Sequence, residues 1–417
     1  MISEKIKKTI LLIFKWIFIC VLIGFFSGSA SAFLLVALEW AASYRGQNNW
    51  IIWLLPMGGL LIGLGYHYYG SSVVKGNNLL LEEYETPKKT IPLKMAPLVL
   101  FGTIITHLFG GSAGREGTAV QMGGALADQF TGIFKLDNSD RRTLLILGIS
   151  AGFASVFGTP LAGALFALEV LYYSKVSYKS IILSFLVAFI AYYTVEIWHV
   201  KHTHYSIPIV PDINLKILLW IIPISILFGF SAMLFSRSTH YWGILFSSIK
   251  YPPLRPFVGG LLFAIAIYFI GTTKYLGLGV PIILESFSKP SEYYDFLAKI
   301  LFTGFTLGAG FKGGEVTPLF FIGATLGSAL SLIVPLPIAL LAGMGFVAVF
   351  SGATHTPIAC TIMGMELFGM QSGAYIGIAC FIAYLASGSI GIYHSQIVKG
   401  AKYQLYQKFK REKLDNF

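Results

Sequence analysis

The segment Gly114-Arg115-Glu116-Gly117-Thr118 sets an acid beside a base between glycines, inside apolar sequence that runs from Pro97 to Phe134. A carboxylate at membrane depth costs roughly 2.5–3.5 kcal/mol on insertion scales, so Glu116 needs a function or a partner. The glycines at 110, 111 and 114 let backbone approach a ligand closely. The residues after Glu116 have the periodicity of a helix start, where free N–H groups and the positive dipole end attract anions. Two hundred residues on, Lys312-Gly313-Gly314-Glu315-Val316-Thr317-Pro318 repeats the design, with proline suited to a first helical turn. Both segments read as anion cradles. Where the second carries Val316 the first carries Glu116, so a negative side chain competes for a place built for an anion. That is the arrangement of a gate that is displaced or protonated. The alternative, a salt bridge from Glu116 to Arg115, is disfavoured because adjacent residues on a helix do not face each other.

Other chemistry-bearing patterns are weaker. Gly110 to Gly114 spells G-x-S-x-G around Ser112, but with 45 glycines a chance match is unremarkable and the strand-turn-helix setting of a nucleophile elbow is absent. No His-Glu-x-x-His, Cys-x-x-Cys or Walker loop occurs, and the eight histidines are scattered, so neither metal nor cofactor is expected. His355 and His394 are candidates for titration, though satisfied or interfacial histidines fit them better. Glu169 and Glu366 stand at the ends of apolar helices, where a capped carboxylate orients a helix. Tyr393 begins the last segment, as an interface anchor or a phenol that donates to a buried anion.

The elements that position these residues are membrane helices. The 417 residues are 55% hydrophobic and 12% charged with a mean hydropathy of +0.73, the composition of a polytopic membrane protein. Apolar runs at 9–42, 50–68, 181–195, 217–235 and 257–270 leave no room for a separate soluble domain. The net charge of +11 sits at Lys5, Lys7 and Lys8, at Lys135 to Arg142, at Lys399 and Lys402 and in Lys408 to Lys413. Positive-inside bias explains this without nucleic acid and places both termini in the cytoplasm. The three cysteines, Cys20, Cys360 and Cys380, all lie in apolar segments and read as small core residues. The basic start and long apolar run at the N-terminus read as a first membrane helix.

The chain also resembles itself. The residues from Gly114 to Leu126 align without gaps on Gly314 to Leu326, and Gly148 to Val170 follows on Gly345 to Leu367, pairing Thr159-Pro160 with Thr356-Pro357 and Glu169 with Glu366. Two matches in order indicate a duplicated half, with residues 1–207 and 208–417 as the two repeats and the division at the break from Ile207 to Pro211. Short helices interrupted by glycine and proline belong to transporter repeats whose halves meet around a site near the midplane.

At this point the residues resemble a known family. Gly114-Arg115-Glu116-Gly117-x-x-Val120-Gln121-x-Gly123, then Gly158 to Gly163, then Gly313-Gly314-x-x-x-Pro318 and a late Tyr393 look like the CLC anion channels and transporters. The resemblance implies an all-α, inverted-repeat fold with discontinuous helices, and a homodimer with one pathway per subunit. It makes Glu116 the gating and proton-carrying glutamate. It assigns anion ligands to the backbone around Arg115 to Gly117 and at Val316 and Thr317, and a central-site tyrosine to Tyr393. Where chloride-type members usually have a central serine, this chain has Asn77-Asn78; Thr118 replaces their usual proline, Val170 replaces an internal glutamate, and Glu315-Val316-Thr317-Pro318 is more polar than their version. This combination resembles the fluoride/proton antiporters of the family. The expected function is export of fluoride in exchange for protons across the cytoplasmic membrane, with chloride exchange or a passive anion channel as the alternatives.

Overall fold

A computed structural model describes residues 2–171, 176–396, 402 and 404. Lys399 and the basic cluster from Lys408 to Lys413 lie outside the described residues. In chain order the helices are α1 (Ile2–Gln47), α2 (Leu55–Tyr68), α3 (Asn77–Glu85), α4 (Met95–Leu108), α5 (Glu116–Ile133), α6 (Asn138–Phe157), α7 (Pro160–Val170) and α8 (Tyr178–Ile197). After a helix-free stretch at 198–214 come α9 (Leu215–Ser247), α10 (Leu254–Ile270), α11 (Val280–Glu285), α12 (Asp295–Gly308), α13 (Val316–Leu330), α14 (Ile338–Thr354), α15 (Pro357–Phe368) and α16 (Gly373–Ala386).

Local chemistry sets the ends. Asp137, Ser177 and Asn214 each accept a backbone N–H from three residues on and start α6, α8 and α9. Gly158 and Gly271 end α6 and α10 in the left-handed conformation. Pro160 and Pro357 open α7 and α15, where a missing N–H costs nothing. Among the described residues, four helical stretches are long and apolar enough to cross a bilayer, at Ile6–Gln47, Asn49–Tyr68, Tyr178–Ile197 and Leu215–Ser247. Helices α4, α7, α10 and α13 to α16 are apolar but shorter.

Among the described residues, eight helices in each series leave the orientation of the halves undecided by counting, because several are short for a full crossing. Reciprocal contacts decide it. Glu169, at the end of α7, accepts the N–H groups of Ile358 (3.1 Å) and Ala359 (2.8 Å) at the start of α15. Its mate Glu366, at the end of α15, accepts those of Leu161 (2.9 Å) and Ala162 (2.8 Å) at the start of α7. Equivalent helices therefore run antiparallel, each acid meeting the positive end of the other's helix. Gly114 and Gly314 likewise exchange both backbone hydrogen bonds, at 2.6 and 2.8 Å, in an isolated antiparallel bridge. Contacts in which i meets j and j meets i are those of a two-fold axis. An axis that reverses membrane helices is an inverted repeat.

Within each half the same crossing recurs. A Cβ at Gly123 would lie 2.2 Å from the Gly148 carbonyl oxygen, and one at the mate Gly323 would lie 1.9 Å from that of Gly345. No side chain fits, so α5 on α6 and α13 on α14 pack backbone to backbone, as small residues allow in membranes. The connectors before α4 and α12 are pinned at matching positions too: Ile91 N donates to Asp128 (2.7 Å) and Ser291 N to Ser328 (3.0 Å).

Candidate anion site at the junction of the halves

The bridge at Gly114 and Gly314 brings the starts of α5 and α13 face to face. Glu116, 1% exposed, opens α5 but turns its carboxylate across to α13. Oε2 accepts from Thr317 N (3.0 Å) and Arg115 N (3.1 Å), and Oε1 accepts a short hydrogen bond from Thr317 Oγ1. The carboxylate thus fills the cradle of the second half, held by N–H and O–H donors and by the positive end of α13. The ion pair with Arg115 is present but long, at 3.7 Å from Nε to Oε1, and Arg115 Nε has no hydrogen-bond partner. The donors of Thr317 hold the acid more closely than its basic neighbour does.

Glycine is required by this approach. A Cβ on Gly114 would sit 2.8 Å from Glu116 Oε2 and 2.9 Å from the Gly314 oxygen, and one on Gly314 would sit 2.7 Å from Gly117 N. The glycine lead-ins therefore serve closeness between the halves as well as closeness to a ligand.

Two small voids flank these contacts. One, about 20 Å³, is lined by Arg115, Glu116 and Thr317 with Thr203, Tyr205 and a wall of phenylalanines. The other, about 10 Å³, is lined by Asn77, Val120, Val170 and Tyr393 among apolar neighbours. Each is near the size that holds one water-sized occupant. Asn77 Oδ1 is buried without a hydrogen-bond partner, an orphan that a donor in the void would satisfy. Asn78 points elsewhere and accepts from Ser395 N (2.9 Å), tying α3 to the segment that carries Tyr393. Phe153, Phe166 and Phe350 stack behind the site, with Phe153 and Phe166 centroids 4.3 Å apart, and keep it dry.

The site residues read from sequence, Glu116, Arg115, Gly117, Val316, Thr317, Asn77 and Tyr393, fall around this junction and its voids. Glu315 was not singled out, although a Cβ on Gly117 would stand 3.7 Å from its Oε2 and 3.0 Å from Asn77 Nδ2. The signal for it was the second acid of the repeated motif. Thr203 and Tyr205 belong to the stretch between the helical series and carried no motif. Ser112 Oγ bonds Thr303 Oγ1 (2.9 Å), which ties the first glycine loop to α12. His355 ends α14 with φ 58° and shares its Nδ1 with Lys402 Nζ (2.9 Å), while the His394 ring lies 5.0 Å from that of His240.

Comparison with known proteins bears on this arrangement. A family model described as voltage gated chloride channel matches residues 58–388. A chloride/fluoride channel protein of Pseudomonas syringae pv. tomato is 50% identical over 396 residues, covering 93% of this chain and 88% of its own. An H(+)/Cl(-) exchange transporter of Cronobacter sakazakii is 26% identical over 79% of this chain and 74% of its own. Among solved structures, a CLC-type fluoride/proton antiporter superposes with a TM-score of 0.89 at 33% identity, over 93% of this chain and 98% of that one. A slow cyanobacterial Cl-/H+ antiporter shares the fold, with a TM-score of 0.77 at 18% identity over 95% and 97%. With its inverted halves meeting at paired glycine cradles, this multi-pass membrane chain belongs to the voltage-gated chloride channel, or CLC, family.

Proposed function

We propose that this protein exports fluoride in exchange for protons. The observation that carries the reading is the Glu116 carboxylate seated in the α13 cradle on Thr317 N and Oγ1. When Glu116 is ionised it occupies the anion's place and closes the route. Protonation removes the charge that the dipole and the donors hold, so the neutral side chain leaves and fluoride enters. Return of the ionised carboxylate expels the anion. Proton and anion thus use one cradle in alternation, which is the condition for exchange.

Fluoride is small and strongly hydrated, so its site must replace water with several donors. Thr317, Asn77 and Tyr393 supply side-chain donors, and the backbone at Arg115, Gly117 and Val316 supplies N–H groups. The void between Asn77 and Tyr393 has room for one small ion, and a half-turn of the Asn77 amide exchanges its unpaired Oδ1 for Nδ2 as a donor. Val170 lines that void where an acid would have relayed protons, so proton movement falls to Glu116, with Glu315 as the second acid nearby. Hydrogen fluoride enters cells as a neutral acid and dissociates in a more alkaline cytoplasm; inward protons would drive the trapped anion out. The reading places the chain in the cytoplasmic membrane as a homodimer, with both termini inside and each subunit built from residues 1–207 and 208–417.

A passive fluoride channel is the second reading, favoured by the apolar Val170. Reconstitution in liposomes with fluoride and pH electrodes separates the two. Fluoride efflux with counter-flowing protons is expected, and Glu116→Gln is expected to reduce proton movement to the leak of empty liposomes. Coupled transport that survives Glu116→Gln would overturn the role of this residue, and uncoupled fluoride efflux in the unmodified protein would make it a channel.

A further inference from the structure

A cavity of about 290 Å³ lies between the end of α2 and the start of α10, away from the junction, and its walls include Tyr66, His67, Ser71, Arg255 and Lys312 but no carboxylate. Lys312 Nζ sits over the Tyr66 ring at 4.1 Å; among the described residues it makes no hydrogen bond or close ion pair, and Glu315, three residues on and outside the cavity lining, is the acid within its electrostatic reach. Arg255 uses Nε and Nη2 on the carbonyls of Ile249 (3.0 Å) and Ser247 (3.2 Å), leaving Nη1 without a protein acceptor among the described residues. The start of α10 adds its positive end. Around the mouth Tyr68, Tyr69 and Tyr251 are exposed, and His67 packs edge-on against Tyr68 and Tyr251. Such a tyrosine belt marks the membrane–water boundary.

The two-fold axis supplies a control inside the same molecule. The cavity on the other side of the axis, about 420 Å³, lies between the end of α1, the turn before α2 and the end of α10, and is lined by Arg45, Trp50, Trp53 and Tyr268. The residues that correspond to His67, Arg255 and Lys312 at the repeat offset are Ile267, Leu55 and Ser112. Its one cation, Arg45, is committed to the His107 carbonyl. The architecture alone therefore does not call for cations at these positions: Arg255 and Lys312 have no charged counterpart in the other half.

We infer that the cavity between α2 and α10 binds the phosphate headgroup of an anionic phospholipid, with Lys312 and Arg255 as its cationic contacts. Basic pockets between membrane helices at headgroup depth have the charge and position for such lipids. Lys312 leads directly into Gly313-Gly314-Glu315-Val316, so a bound headgroup braces the loop that presents the second cradle.

The test uses the detergent-purified full chain, native mass spectrometry and thermal unfolding, with short-chain phosphatidylglycerol, phosphatidylcholine or inorganic phosphate as the probe. Phosphatidylglycerol is expected to form retained adducts and to raise the melting temperature, and phosphatidylcholine is not. Lys312→Gln and Arg255→Gln are each expected to weaken phosphatidylglycerol binding about fivefold, the worth of one basic contact at an anionic surface. Lys312→Arg, which keeps the charge, should retain the adducts, so that a general loss of packing is told apart from loss of a ligand contact. Undiminished adducts in both glutamine variants, or equal loss in Lys312→Arg and Lys312→Gln, would overturn the inference. So would inorganic phosphate acting as well as the lipid, which would make the cavity a free-oxyanion site.

Discussion

The helix that opens with Glu116 in the first half opens with Val316 in the second, and both lie in the same bridge of glycines. The far ends of these helices differ as well. In the first half Arg141 sits between Asp128 (2.8 Å from both Nε and Nη2) and Glu83 (2.9 Å) and donates to the Lys89 carbonyl (2.6 Å). In the second a Ser328 hydroxyl alone reaches the matching Lys289 carbonyl (2.7 Å). What the halves share is scaffold: the bridge, the backbone crossings, and the exchanged caps of Glu169 and Glu366. What they do not share is the acid that opens α5 and the charged clamp around Arg141. Chemistry enters this fold where the duplication has been broken: an acid opens α5 but not α13, and acids at both openings would fill both cradles and leave no place for an anion.

Making the halves alike should have the largest effect. Val316→Glu points a second carboxylate at the donors of the first half, as Glu116 points at those of the second, and like charges so close resist ionising together. Fluoride efflux from liposomes is expected to fall by about a hundredfold, the kinetic equivalent of ~2.7 kcal/mol. Efflux at the unmodified rate would mean that only one cradle lies on the route.

The far ends give a prediction about stability. Arg141→Met leaves two carboxylates buried against each other, a loss of about 3–5 kcal/mol for a broken buried pair. Ser328→Ala removes the hydroxyl that accepts from Ser291 N and donates to the Lys289 carbonyl, and should cost about 1–2 kcal/mol. Unfolding in mixed micelles compares them, and equal losses would show that the charged clamp contributes no more than the hydroxyl. Next in size are the exchanged caps. Glu169→Ala and Glu366→Ala each strip two charge-assisted bonds from a helix start and should each cost about 1.5–3 kcal/mol, alike to within ~0.5 kcal/mol. A large inequality would break the two-fold description at α7 and α15.

The legibility of all this in the sequence follows the same division. The scaffold was visible because glycines, prolines and paired glutamates recur at fixed offsets, and Glu116 and Thr317 fell to the same comparison. The inversion was expected only through the family resemblance, since it lies in which residues meet across the axis and no helix count reveals that. Asn77 and Asn78 are neighbours whose opposite duties depend on helix phase at a loop junction, finer than a pattern resolves. Glu315 was overlooked because the gapless alignment set it against Arg115, which drew attention to the neighbouring pair of Glu116 and Val316. Lys312 looked like part of a lead-in, and only the cavity beside Tyr66 gives its side chain a surrounding.

The smallest expected effect concerns the ends of α6 and α14. Gly158 and His355 are mates, both left-handed at φ 73° and 58°, but only glycine adopts that conformation freely. A side chain there costs roughly 1–2 kcal/mol, and His355 offsets part of it through the bond from Lys402. His355→Gly removes strain and bond together and should leave stability within ~0.5 kcal/mol of the parent. His355→Ala removes the bond and keeps the strain, so it should be less stable than the glycine variant by about 1 kcal/mol. Because both variants lack the imidazole, their difference reads the backbone term alone. In the first half Gly158→Ala should lose more than that difference, since its Cβ would also lie 2.7 Å from the His202 ring. Equal melting of the alanine and glycine variants at 355 would mean that the second half carries no strain where it departs from the first, and that its histidine is held there by Lys402 alone.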